Sequence, residues 1–556
     1  MRRIVRLVIG AGARGASTGE AISNSFASGE ECTSEESHPF LYQVPVLASR
    51  TVGREAEVRK LWQNLLCGRH YQVVVGPDGI GKSTIAAEFC DTVKHSHRFS
   101  CIQWFNGQHA LRSQLQHFFT SMKGRKEKDV LLVVDDTISP DEVVTLIPEH
   151  ASVYVLMTTS SENVTSSTKM ACLFPSALSL HACQQLVPEL PLSQELEAVC
   201  YNLGYVPLLI HIASLLIQGD VCSAPQLERI LTEKRVRNND TLSISVALSV
   251  LTNIGIAELE KTYPDARAML RIISCFHTGD MSDAVVGAIV GDAAGDFSVK
   301  ASQLGIFSPK WDEGALALHP LVAKVLRGTL DASVLAKAAD ALVSLWPRRW
   351  RGMGSHFAYN LVWHTYTLAQ HFAACDAVLT PAILTAMDRS ATFLAHVEAR
   401  DFAVAAELWM QVYEQQITRK REASPDSVRM LRECGRLLHF LKDPRAEEVL
   451  QRAWKDCVVV HGRSSAESAL ILGCLAPYLP ANNDTLALVE EAVAVLEGRL
   501  ASVDLVLARE EVRMLWQTIF VLLMCKGQYM TEMKLTIPDD LMGALERADG
   551  EAKRVR

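Results

Sequence analysis

Apolar residues along this chain keep one spacing for a stretch and then change it, and the changes mark out its parts. Between about residues 46 and 165, short runs that are apolar at nearly every position (Val73–Val75, Cys101–Phe105, Val130–Val134 and Ser152–Met157) alternate with stretches whose apolar residues return every three or four positions. Strands of a parallel sheet are buried on both faces and read as unbroken apolar runs, whereas the helices covering them show one apolar stripe. The pattern predicts a parallel-sheet α/β unit with helices through Val58, Leu61 and Leu65, through Thr84–Ala87, and through Leu111, Leu115 and Phe118. From about 166 to 250 only the helical spacing remains, at Ala182–Leu186, Gln194–Leu203, Pro207–Ile217 and Pro225–Leu231. Residues 251–345 add helices on either side of Gly305–Leu318, whose alternation and Trp311-Asp-Glu-Gly314 turn suit a small β-hairpin. Beyond 346 every stretch is an amphipathic helix. Phe402, Ala405, Trp409 and Val412 combine small and large residues at a spacing that returns at Ala446, Leu450 and Ala453 and again at Thr485, Val489 and Ala492. Such units bury their faces only by stacking, which predicts a curved solenoid over 346–535 with a concave, peptide-sized surface; a generic helical bundle is the alternative. Residues 1–45, rich in Ser, Gly and Glu, are expected to be a disordered leader, and 536–556 a frayed tail.

Composition narrows the classes. With 556 residues the chain is too long for one core. A net charge of −8 carries no general nucleic-acid footprint, and the apolar run near Ile519–Cys525 falls short of the ~20 residues that span a bilayer, so neither a membrane nor nucleic acid is an expected partner. The 14 cysteines include no C-x-x-C pair, which argues for reduced thiols inside the cell and against a zinc site. A cytoplasmic location follows, with a mitochondrial alternative, because Arg2, Arg3, Arg6 and Arg14 precede the first acid at Glu20. The leader also holds Gly10-Ala-Gly12-Ala-Arg-Gly15, which matches a dinucleotide fingerprint but is followed by neither an amphipathic helix nor a returning strand.

The chemistry is concentrated after Val73–Val75. There Gly76-Pro-Asp-Gly79-Ile-Gly81-Lys82-Ser83-Thr84 opens an apolar helix, the strand, loop and helix order of a phosphate-binding loop. Glycines let backbone N–H groups turn toward phosphate oxygens, and the helix N-terminus faces the same anion. Lys82 is expected on the β- and γ-phosphates and Ser83 on Mg²⁺. About 50 residues on, Val130–Val134 ends in Asp135-Asp136, where ligands of parallel sheets bind. Asp135 is the expected second Mg²⁺ holder and Asp136 the residue that polarises an attacking water, which with Lys82 makes the catalytic pair. Thr158 and Thr159 end the next strand; their hydroxyls either sense the γ-phosphate or cap the following loop.

Taken in order, these motifs resemble the NB-ARC group of STAND-class P-loop ATPases. The opening motif is Val52-Gly53-Arg54-Glu55, followed by the phosphate loop, the acidic strand and the Thr-Thr strand. Leu203-Gly-Tyr-Val-Pro207-Leu-Leu209 is similar to the family's Gly-x-Pro segment, and Ala317-Leu-His319-Pro-Leu-Val322 to its winged-helix histidine motif. The resemblance spans about 48–345 and implies a P-loop domain (46–165), a helical domain (166–250) and a winged-helix domain (251–345). It further implies adenine packing on Pro207 and His319 on the β-phosphate, with Val52, Arg54, Gly76, Gly79, Gly81, Thr84, Thr158 and Thr159 around the nucleotide. The solenoid is similar to the tetratricopeptide arrays attached to such modules. Two departures stand out: Ser160 takes the place of the family's γ-phosphate arginine, and Leu318 and Pro320 replace the usual Met and Asp around the histidine. The expectation is an ADP/ATP switch with slow or absent hydrolysis, a protein partner on the helical repeats and nucleotide-dependent self-association. A non-hydrolysing scaffold and a DNA-binding regulator acting through the winged helix are the alternatives.

Overall fold

The computed structural model describes residues 40–42, 44, 51–96, 98–107, 129–148, 153–161, 164, 170–188, 194–237, 243–279, 281–309, 316–346, 355–396, 402–420, 423–502 and 509–554, with scattered positions between 111 and 122. Arg2, Arg3, Arg6 and Arg14, the Gly10–Gly15 pattern and the Trp311–Gly314 turn lie outside these residues.

Six parallel strands form the first sheet: β1 (Phe40–Tyr42), β2 (Tyr71–Val75), β3 (Cys101–Asn106), β4 (Val130–Asp135), β5 (Val153–Thr159) and β6 (Met170–Leu173), in the order β1-β3-β4-β5-β2-β6. Alternate residues of the apolar strands supply two cores. Val74, Ile102, Leu131, Val133 and Leu156 meet α1 (Glu55–Leu66) and α2 (Lys82–Lys94) through Val58, Leu61, Ile85 and Phe89. Val73, Phe105, Leu132, Val134, Val155 and Met157 meet Leu115 and Phe118, and Val143 from α3 (Pro140–Leu146), on the other face. The predicted α/β unit is therefore a sheet buried on both sides.

Its limits differ from those expected at both ends. Phe40–Tyr42, assigned to the leader, is an edge strand in register with Cys101–Gln103, since three apolar residues complete the β3 edge. Met170–Leu173, assigned to the helical region, pairs with Tyr71–Val74, so the sheet runs past 165.

Helices follow: α4 (Leu180–Leu186), α5 (Gln194–Asn202), α6 (Pro207–Gln218), α7 (Ala224–Arg237), α8 (Ile244–Glu260), α9 (Ala266–Ile273), α10 (Asp283–Val290) and α11 (Ala294–Gln303). Ser179, Ser243 and Ser282 start α4, α8 and α10 by accepting a backbone N–H three residues on. The division expected at 250 falls inside α8, whose cap at Ser243 and buried stripe Ala247, Leu248 and Leu251 make it one helix. An antiparallel hairpin, β7 (Phe307–Pro309) with β8 (Leu316–Leu318), leads into α12 (Pro320–Arg327) and α13 (Ala332–Leu345).

The remaining helices are α14 (Ser355–Ala374), α15 (Pro381–His396), α16 (Phe402–Lys420), α17 (Pro425–Phe440), α18 (Ala446–His461), α19 (Ala466–Leu475), α20 (Asn483–Ser502), α21 (Arg509–Glu532) and α22 (Asp539–Arg554). From α15 onward each helix packs on its successor, and α19 also touches α17 and α21, as in a stack of helix pairs. The repeat positions Ala405, Trp409, Val412, Ala446, Leu450, Ala453, Thr485, Val489 and Ala492 are all buried. The end beyond Ile537 is not frayed: α22 buries Leu541, Leu545 and Ala548 in the core shared with α19, α20 and α21. Another continuous core runs from Leu178 to Ile471, so packing joins the helical region, the hairpin region and the first stacked pairs. Among the described residues no helix is long and apolar enough to cross a membrane.

Candidate functional site

The loop after β2 is shaped by its glycines. Gly79 and Gly81 sit at φ values of 81° and 93°, a region that costs side-chain-bearing residues strain. Gly76 donates its N–H to the Thr159 carbonyl (3.2 Å), which pins the start of the loop to β5. Gly81 is also the N-cap of α2, and no side chain caps that helix start. Its first N–H groups therefore lack the side-chain acceptor that capped helices have. Lys82 is buried and folds back over the loop, its Nζ donating to the carbonyls of Gly76 (2.9 Å) and Pro77 (3.2 Å) and lying 3.3 Å from Asp78 Oδ1. Thr84 is exposed on the first turn of α2.

Sheet order explains the second cluster. Because β5 lies between β2 and β4, the ends of all three strands converge beside α2. Asp135 Oδ1 accepts from Ser83 Oγ (2.8 Å) and from Thr158 Oγ1 (2.6 Å), and Thr158 Oγ1 in turn accepts the Asp136 N–H (2.8 Å). Burial pushes the Asp135 carboxyl above its ordinary range, opposed by the hydrogen bonds from Thr158 and Ser83 and by the charge of Lys82. Asp136 turns the chain away from the sheet at φ 60°. Thr159 is fully buried and its Oγ1 accepts the Ser161 N–H (3.1 Å). In this geometry Thr158 orients Asp135 and Thr159 caps the following loop.

The opening motif clamps the loop from outside. Arg54 is 3% exposed and donates to the carbonyls of Ile80 (2.8 Å) and Ser176 (2.7 Å) and to Glu57 Oε1 (3.1 Å). Its guanidinium thus joins the phosphate loop to the segment entering α4. Gly53, at φ 67°, lets the chain pass Ala182 so closely that a Cβ would lie 2.7 Å from the Ala182 Cβ. Val52 packs half-buried against the helical core.

Two distant helix starts close over the loop. Pro207 is the first residue of α6, and the Leu208 N–H points at the Gly79 carbonyl (3.4 Å). His319 is the N-cap of α12, its Nδ1 accepting the Leu321 N–H (3.2 Å). A Cβ on Gly79 would meet both Leu208 (3.3 Å) and Leu321 (3.5 Å), so the two helices touch the same glycine. Burial pushes His319 down to about 4, with Asp78 raising it and Lys82 lowering it. A neutral imidazole whose Nδ1 accepts carries its proton on Nε2, which makes that atom a donor. The structure therefore brings Arg54, Gly76, Gly79, Lys82, Ser83, Asp135, Thr158, Pro207 and His319 to one place.

Asp78, Glu57, Ser176 and Leu321 belong to this site although the motifs assign them no role. Asp78 occupies an unconstrained loop position, and the others act across long sequence separations. A separate cleft of about 330 Å³ lies between α1 and α2, lined by Glu55, Arg59, Trp62, Glu88 and Thr92. None of the loop residues lines it.

The side chains present fit a Mg²⁺-bound nucleotide. A helix start without a side-chain cap, a buried ammonium and glycines at positive φ form a phosphate cradle. Ser83 and Asp135 supply one hydroxyl and one carboxylate, the sparse protein donor set of an ion that takes its remaining ligands from phosphate and water. Among the described residues no group of three or more His, Cys, Asp or Glu offers a self-sufficient metal cage.

No protein-family model and no curated protein matches the chain. Its fold is similar to the crystal structure of a signal transduction ATPase with numerous domains (STAND) with a tetratricopeptide repeat sensor from Pyrococcus horikoshii, at 13% identity over 92% of this chain and 78% of that one, with a TM-score of 0.46.

Proposed function

We propose that the chain is an adenine-nucleotide switch of the NB-ARC type, in which closure of three units over the phosphate loop is governed by which nucleotide is held. The observation that carries this reading is the convergence on Gly79 of Leu208 from α6 and Leu321 from α12, beside Lys82, Ser83 and Asp135. A loop sealed only by its own sheet could bind nucleotide without consequence for the rest of the chain. One sealed by two helices from later in the sequence changes its affinity when they move, which is the differential affinity a switch requires.

Bound Mg²⁺-nucleotide would supply the negative charge that Lys82 and the start of α2 are built to neutralise. Ser83 and Asp135 hold the metal, Thr158 fixes the carboxylate, and Arg54 keeps the loop in register with the helical unit. His319, neutral with its proton on Nε2, donates toward the phosphates, and Pro207 packs on the base. In this reading α9 to α13 with the β7–β8 hairpin form a winged-helix-like lever, and the stacked pairs from α15 onward form a tetratricopeptide-like sensor for a protein partner. Exchange of ADP for ATP opens the lever and favours self-association.

Turnover is slow or absent. Ser160 supplies no cation at the end of β5, and the Thr159 Oγ1 beside it accepts the Ser161 N–H of the following loop. Nucleotide binding that leaves the solution mass of the chain the same in Mg-ADP and in Mg-ATP would favour a scaffold in which nucleotide is filler. The primary test is to denature the purified chain, identify released nucleotide, and titrate ADP and ATP into wild type and Lys82→Ala. Failure of the wild type to hold or bind adenine nucleotide refutes the proposal.

A further inference from the structure

Lys82 is the cation that an incoming phosphate uses, and in this loop all three of its ammonium protons have protein acceptors: the Gly76 carbonyl, the Pro77 carbonyl and Asp78 Oδ1. A phosphate oxygen that takes Lys82 must therefore replace or share one of them. The two carbonyls belong to the loop backbone, which Gly76 anchors to Thr159. Asp78 is different, since its side chain is 51% exposed and free to swing. It is also a charged competitor. Among the described residues the other cation whose bonds reach the loop is Arg54, whose charge is balanced by its ion pair with Glu57.

We propose that Asp78 is a specificity-determining residue of the loop, whose carboxylate competes with the terminal phosphate for Lys82 and thereby favours the diphosphate over the triphosphate. The inference rests on the nucleotide reading given above. A like charge beside the phosphates opposes both ligands, but the triphosphate brings one phosphoryl group more into the field of the same carboxylate. Position reinforces the effect, because Asp78 acts electrostatically on His319 as well as on Lys82 and so sits where α12 closes on the loop. Half-exposure screens the interaction, which limits it to a modest bias in affinity rather than exclusion of either ligand.

The test is calorimetric titration of the full-length chain, stripped of nucleotide, with Mg-ADP and with a non-hydrolysable Mg-ATP analogue. Asp78→Asn is expected to tighten ADP about threefold and the triphosphate about tenfold, with a smaller change at high salt. Asp78→Ser should shift the ratio in the same direction, which separates loss of charge from a new contact by the amide. Asp91→Asn, an exposed acid further along α2, should leave both constants unchanged. Wild-type binding that Lys82→Ala abolishes, with a triphosphate-to-diphosphate ratio unmoved in both Asp78 variants, overturns this proposal and leaves the nucleotide reading standing. No binding to the wild type overturns both.

Discussion

Arg54 gives the sharpest test of how the site is assembled, because its three bonds join parts of the chain that share no local sequence. Replacing it with methionine keeps most of the side-chain volume and removes the donors. The Ile80 and Ser176 carbonyls each lose a charge-assisted bond, at about 1.5 kcal/mol apiece. Among the described residues Glu57, 8% exposed, then keeps the Ser176 hydroxyl at 3.3 Å, which adds roughly 1 kcal/mol for a carboxylate left underpaired. The sum, about 4 kcal/mol, lies within the range measured when one partner of a buried ion pair is removed. Because the loop and the helical region are joined at this point, the loss should fall on the unfolding transition of the sheet unit. Urea denaturation of Arg54→Met, Glu57→Gln and the double variant reads it. Glu57→Gln should cost less than Arg54→Met, and the double variant should fall short of the sum by about 1–2 kcal/mol, as expected for residues sharing one network. A cost under about 1 kcal/mol for Arg54→Met would refute the clamp, since two bonds from a buried guanidinium cannot be worth so little if they form.

Other expectations follow from packing and burial. Gly473→Ala places a Cβ against the Thr518 methyl where α19 crosses α21, and should cost about 1–3 kcal/mol in the stability of the C-terminal stack by chemical denaturation. Leu545→Ala empties a 1% exposed site in α22 and should cost about 2–5 kcal/mol, whereas a frayed tail would register nothing. His319 is held near 4, below its ordinary 6.5, so the unfolded chain takes up a proton that the folded chain declines. That contribution is whole above pH 6.5 and is lost as pH falls from 6.5 to 4, up to about 3 kcal/mol across the window. His319→Asn should flatten that part of the pH dependence in denaturation curves, and His371, also pushed down to about 4 by burial beside Arg327, should preserve the remainder.

What could be read beforehand depended on whether a residue's role is fixed by its neighbours in sequence. The strands of the sheet announced themselves because burial on both faces forces unbroken apolar runs, as in Val130–Val134. Met170–Leu173 did not, because four residues on a sheet edge show no period. That Lys82, Ser83 and Asp135 would come together was legible, because a glycine-rich loop opening a helix and an acid at the end of a parallel strand meet on one side of the sheet. Helix α22 was readable in principle: Leu541, Leu545 and Ala548 repeat the spacing of Ala446, Leu450 and Ala453, but the polar residues between them hid it. Asp78, Glu57, Ser176 and Leu321 were not legible, since their partners are set by how separate units dock and no local rule selects them.

The docking nevertheless left a trace. Val206-Pro207-Leu208 and His319-Pro320-Leu321 follow one plan, with proline at the first position of a helix and leucine at the second. Proline is tolerated there because its missing N–H has no intrahelical acceptor, and its fixed φ starts the helix without a preceding turn. In both helices the leucine that follows lands on Gly79. With α2 starting at Gly81, three helix N-termini therefore meet at one loop, and each brings the partial positive charge of its first turn. Such an arrangement is unfavourable without an anion between them, because like ends repel. The fold thus ties the docking of α6 and α12 to the charge in the loop, where Asp78 supplies one negative group.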